Sequence, residues 1–294
     1  MMTFQDYLTT QRDSSDKTID AYSQDLKDFY KWWLIDNPEP FKPADLTATD
    51  IRLYKQSLMA RRVGPATVNR RLAALRAYGD YLVANHILYD NPAAAARGVN
   101  QQKLAPRWLD KKEQAALTRH MEKQISAAQT SVGRWEAIRN KAIVVFLLNT
   151  GLRVSELCAL APADVSFSER KGTATVRDGK GNKTRMVPLN RAARSALNEW
   201  GKIEGNKVFI FCGRDGIALG PRGVQKMLSI AGRRCDVLVT PHRLRHTFAK
   251  SLLDSGVPLE TIAALMGHER IETTRGYTRP GESDLQKAVG VLDD

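Results

Sequence analysis

Residues 173–188 read Thr-Ala-Thr-Val-Arg-Asp-Gly-Lys-Gly-Asn-Lys-Thr-Arg-Met-Val-Pro. Thr173–Arg177 and Thr184–Pro188 are rich in β-forming side chains, and Asp178-Gly179-Lys180-Gly181-Asn182 between them is a turn-forming run. The stretch predicts a β-hairpin. It decides the fold class because most of its surroundings read as helix.

Working outward, residues 110–127 and 135–149 carry helical apolar spacing. Val208–Phe211 predicts one more strand. From Pro221 onward the pattern is helical again, with Pro241 and Pro258 as helix starts and Gly232, Gly256 and Gly267 as stops. The first hundred residues predict helices over Thr18–Leu34, from the N-cap Thr47 to about Arg61, and over Pro65–Val83. Asn37-Pro38-Glu39-Pro40 and Gly64-Pro65 break the chain between them. The expected architecture is mainly α with a small β-sheet. A four- or five-helix domain over residues 1–100 leads through a polar linker at 101–106 into a mixed α+β domain at 107–294.

The chain has 294 residues and a net charge of +13. Residues 1–50 hold five Lys/Arg against ten Asp/Glu, residues 51–103 nine against two, and the remainder 31 against 20. A basic excess over two long stretches points to a polyanion such as nucleic acid, although a merely basic protein has the same composition. No apolar run approaches the roughly 18 residues of a membrane span, and the N-terminus lacks the features of a signal peptide. The three cysteines form no CxxC pair, which argues against a disulfide framework or a structural zinc site and fits a reduced, cytoplasmic setting.

Several short motifs carry chemical potential, and each has a plainer reading. Arg153, after the helix-breaking Gly151, opens a helix where an anion could bind; it could equally be a surface arginine paired with Glu156. Lys180 at the hairpin tip could donate a proton or be a solvated turn residue. His242 and Arg245 share one face of a helix's first turn. His268 follows Gly267. Of eight tyrosines, Tyr277 alone lies beyond residue 89, in a polar stretch with no periodic packing partner. The order is the specific signal: Arg153, Lys180, His242-x-x-Arg245, Gly267-His268, Tyr277.

That ordered set resembles the tyrosine recombinase, or phage integrase, family, including the Xer recombinases and many transposon- and plasmid-borne enzymes. The resemblance is closest at residues 150–157 and 179–189, and it covers the second domain. The helical first domain, with Thr18 and Tyr22 and the stretch 65–72, is similar to the family's SAM-like core-binding domain. The resemblance implies a C-shaped clamp on double-stranded DNA with inverted-repeat core sites. It further implies a homo-tetramer on paired sites, with a dimer per site.

The resemblance implies that Tyr277 attacks a phosphodiester and leaves a 3′-phosphotyrosine, with no ATP, metal or other cofactor. Arg153 and Arg245 would hold the charged phosphate oxygens, and His242 and His268 would add hydrogen bonds. Lys180 would protonate the leaving 5′-oxygen, and Glu156 would support the arginines. Arg61, Arg62, Arg70, Arg71 and Arg76 are candidate phosphate contacts from the first domain. The implied role is resolution, or integration and excision, of a mobile element or replicon. The tail after Tyr277 packs either on its own domain or on a neighbouring subunit. A type IB topoisomerase and a DNA-binding protein without catalysis are the competing readings. A phage integrase with an added arm-binding domain is less favoured, since about a hundred residues precede the second domain.

Overall fold

A computed structural model describes residues 2–37, 39–100, 106–177, 184–204, 209–267 and 274–278. The chain separates into two compact units, Met1–Lys103 and Leu104–Asp294.

The first unit is helical: α1 (Phe4–Thr10), α2 (Asp16–Asp36), α3 (Ala48–Ala60) and α4 (Pro65–Ala84). Thr47 caps α3 as expected, accepting from the Asp50 amide while the Asp50 carboxylate accepts from the Thr47 amide. Pro65 opens α4, where its missing N–H removes nothing from the helix. The apolar faces meet around Phe29, Tyr54, Leu72, Leu75 and Leu82, all buried. Phe29 and Tyr54 pack edge to face at 5.1 Å. The polar run after Gly98 begins as part of this unit, because the Asn69 side chain bonds both the amide and the carbonyl of Val99.

The second unit contains α5 (Lys111–Ala127), α6 (Ser131–Thr150), α7 (Val154–Ala159), β1 (Val165–Phe167), β2 (Gly172–Arg177), β3 (Thr184–Pro188), α8 (Arg191–Glu204), α9 (Pro221–Arg234), α10 (Pro241–Asp254) and α11 (Leu259–Met266). A 3₁₀ turn, Gly276–Thr278, follows. α6 is buried on nearly every side, with Ala142, Ile143, Val144, Phe146 and Leu147 all enclosed, and α5, α8 and α10 pack around it.

The hairpin is present as an antiparallel β2–β3 pair within a three-stranded sheet of order β1-β2-β3. Ala174 stands opposite Val187 and Val176 opposite Arg185. Ala174, Val176 and Val187 are buried, so this face of the sheet looks into the core. The turn residues 178–183, with Lys180, lie outside the described residues.

Two local expectations are corrected. No strand forms over residues 209–211: the Ile210 amide bonds the Leu160 carbonyl in a loop, and only an isolated bridge joins Cys212 to Ala218. Gly232 does not end α9, which continues to Arg234. It is small because the chain returns over it, and a Cβ there would lie 2.3 Å from the Val237 carbonyl oxygen. Gly256 and Gly267 do follow helix ends in the left-handed conformation, and Pro241 and Pro258 stand at helix starts. Among the described residues, no helix is long and apolar enough to cross a membrane.

Candidate active site

Glu156 is the centre of the site. It lies in the first turn of α7 and is 8% exposed. Its Oε1 accepts from Arg153 Nη1 at 2.7 Å and from Arg185 Nη1 at 3.0 Å. Its Oε2 accepts from the Arg153 amide at 2.7 Å and from Arg185 Nη2 at 2.7 Å, and Arg245 Nη1 stands 4.0 Å away. Burial alone would raise the Glu156 pKa. The bonds from Arg185 and Arg153, with the Arg185 charge, outweigh it and hold the carboxyl below its ordinary value.

Helix ends bring these cations together. α6 stops at Gly151, which adopts φ 63° and lies so close to Phe248 that a Cβ would come within 2.3 Å of the ring. Only glycine fits there. The turn leaves the Gly151 carbonyl free to accept from Arg245 Nη1 at 2.6 Å. α11 stops at Gly267, and there the Met266 carbonyl accepts from Arg245 Nη2 at 2.7 Å and the Gly267 carbonyl from Arg153 Nη2 at 3.2 Å. The guanidinium groups thus sit at the negative ends of two helices, which favour positive charge. Arg245 is 4% exposed, whereas the Arg153 side chain is 38% exposed.

His242, exposed in the first turn of α10, stands one turn before His246, and the two rings stack at 6.0 Å. The turn Gly276–Thr278 lies against the same helix, so the backbone of Tyr277 is close to the element bearing His242 and Arg245. Lys180, His268, the side chain of Tyr277 and the tail from residue 279 lie outside the described residues.

The structure brings together Arg153, Glu156 and Arg245 of the expected set, and His242 lies one turn before Arg245 on α10. It refines one expectation about anions. The Arg153 amide already bonds Glu156, and the Arg243 amide already bonds the Thr240 hydroxyl, so both helix starts are capped by their own side chains. Beside the remaining first-turn amides, these elements offer an anion guanidinium and imidazole groups. Among the described residues, no three His, Cys, Asp or Glu side chains gather as metal ligands.

Arg185 was not singled out by its sequence context. The available signal was phase: two residues before the inward Val187, it occupies an inward position of β3. A charged residue there demands a buried partner.

The candidate phosphate contacts of the first unit are not all free. Arg70 bonds Asp25 at 2.5 Å, and Arg71 bonds Asp28 at 2.6 Å. Arg61 approaches Asp28 at 3.4 Å, and Arg76 bonds the Ala96 carbonyl at 2.8 Å. Arg62 is exposed, at φ 55° just after α3. The acidic excess of α2 is therefore spent partly on the basic excess of α3 and α4.

Residues 107–283 match the phage integrase family, and residues 2–86 match the phage integrase N-terminal SAM-like domain. The tyrosine recombinase XerC of Pediococcus pentosaceus is 32% identical, over 97% of this chain and 94% of its own length. The XerC of Chromohalobacter salexigens is 32% identical over 90% of this chain and 86% of its own. A crystal structure of the XerH site-specific recombinase bound to a palindromic difH substrate shares the fold. It has a TM-score of 0.75 at 21% identity, over 96% of this chain and 82% of that one.

Proposed function

Because the chain belongs to the phage integrase family and is a Xer-like site-specific tyrosine recombinase, we propose that it cleaves and rejoins DNA through a 3′-phosphotyrosine at Tyr277. The Tyr277 hydroxyl gives its proton to His242 or His268 as its oxygen attacks the phosphorus, the bond to the 5′-oxygen breaks, and Lys180 gives that oxygen its proton. Rejoining reverses these steps with a 5′-hydroxyl as nucleophile. The phosphotyrosine conserves the bond energy, so the cycle needs no nucleotide. Arg153 and Arg245 take the charge that grows on the non-bridging oxygens, which leaves no step that calls for a metal. His242 and His268 hydrogen-bond the same phosphate.

The observation that supports this reading best is the convergence of Arg153 and Arg245 on one carboxylate, beside the helix that carries His242 and packs on the Tyr277 turn. The proposed substrate is duplex DNA with inverted core arms, as in the palindromic substrate of XerH. The proposed assembly is a tetramer on two paired sites, with a dimer on each. The proposed role is resolution, integration or excision of a replicon or mobile element in the cytoplasm.

A pool of nicked suicide duplexes with randomised inverted arms tests the reading. The wild-type protein should form a covalent adduct, and sequencing the captured DNA should return a defined site. Tyr277→Phe should bind that site and form no adduct. A wild-type protein that binds DNA without forming an adduct would leave only the binding-protein reading. Adducts spread over unrelated sequences, with relaxation of supercoils, would favour a topoisomerase.

A further inference from the structure

We infer that Arg185 is a positioning residue of the reaction: by neutralising Glu156 from the inward face of β3, it keeps Arg153 available to the phosphate. The inference rests on the recombinase reading of the same site.

Arg185 joins three described segments: β3, the capping turn of α7 that carries Arg153, and the end of α11. It lies on β3, which begins at Thr184, four residues after Lys180 in the sequence. Its two terminal nitrogens meet both oxygens of Glu156, in the capping turn that holds Arg153. Its Nε donates to the Leu265 carbonyl at 3.1 Å, at the end of α11. Gly267, the residue before His268, rests on the same side chain: a Cβ there would lie 2.9 Å from Arg185 Nη1. The Arg185 side chain is 15% exposed, so this is an enclosed fork-on-fork pair rather than a surface contact.

Charge gives the joint a function beyond tethering. Among the described residues, Glu156 faces the guanidinium groups of Arg153, Arg185 and Arg245. The buried carboxylate requires a partner, and Arg185 supplies the two-point one. Without Arg185, Arg153 becomes the principal counter-ion of Glu156 and is drawn from the phosphate. The strong contribution of Arg185 to the lowered Glu156 pKa has the same origin.

Single-turnover cleavage of the nicked duplex selected by the wild-type protein tests this, with DNA half-saturation and thermal unfolding measured on each variant. Arg185→Ala should cleave about 100-fold more slowly at saturating DNA, the scale on which displaced catalytic groups act, with half-saturation unchanged. Arg185→Lys keeps the charge but not the fork, and should fall between Ala and wild type. The deciding variant pairs Arg185→Ala with Glu156→Gln. Removing the carboxylate releases Arg153, so the double variant should cleave about tenfold faster than Arg185→Ala alone. A merely structural arginine costs thermal stability, which Glu156→Gln would also restore by removing the unpaired charge, but leaves the single-turnover rate of the folded protein at its wild-type value. Should Arg185→Ala fail to fold, Arg185→Gln, with and without Glu156→Gln, makes the same comparison. Wild-type cleavage by Arg185→Ala, or additive losses in the double variant, overturns the inference and leaves the recombinase reading intact. Absence of any wild-type adduct overturns both.

Discussion

His246 shows how a single side chain can tie the site to pH. Burial, then the charges of His242 and Arg245, push its pKa down from 6.5 to about 4. The folded chain thus refuses a proton that the unfolded chain accepts. Stability is full above the unfolded value of 6.5 and falls as pH drops toward about 4. Glu156, held below its ordinary value of 4.5, acts only beneath most of that window. The urea midpoint should therefore fall between about pH 7 and about pH 5, and fall less in His246→Gln. Parallel profiles for the two proteins would contradict this origin. At this scale Arg153 and Arg245, which gather on Glu156, stand out in the sequence because their order is specific. Arg185 does not, because its meaning depends on strand phase and on a partner 29 residues away.

At the scale of elements, helix limits follow from local chemistry. Thr47, Pro65 and Gly151 stop or start helices for reasons contained within a few residues. The loop at 209–211 was not legible, because an apolar run of four does not reveal whether a neighbouring strand exists to pair with. The charge asymmetry of α2 and α4 was visible in composition, but the pairing of Asp28 with Arg61 and Arg71 arises from tertiary packing. Asp28→Asn releases Arg61 and leaves Arg71 facing only Asp25 at 3.7 Å, so it should tighten DNA binding and steepen its salt dependence by roughly one phosphate contact. Titration of the selected duplex at several salt concentrations checks this. An unchanged slope would show that Arg61 and Arg71 serve the helix packing alone. Asp25 is the poorer choice, since it is 4% exposed and burial raises its pKa against the opposing pull of Arg70 and Arg71.

At the scale of the molecule, the described core residues divide by unit. The cluster around Phe29 and Tyr54 draws only on the first unit, and those around Phe146 and Phe248 only on the second. Each unit has its own apolar interior, so fragments 1–103 and 104–294 should each unfold cooperatively when expressed alone. Fragment 104–294 should still form the covalent adduct, while its DNA affinity falls because the basic stretch at 51–103 is gone. Circular dichroism melts and adduct formation by the fragment measure both. A fragment 104–294 that folds yet forms no adduct would mean that the first unit contributes to the chemistry itself.

The inward arginine of β3 has one more consequence, for how the chain reaches its native state. Side chains alternate along a strand, so a hairpin paired one residue out of step would turn Arg185 to solvent and drive Met186 inward. Glu156 would then be enclosed with its two-point partner missing. The misaligned chain is penalised at the carboxylate that gathers Arg153 and Arg245. Correct strand registration and a competent site are therefore selected together, and the hairpin is proofread by the electrostatics it helps to create.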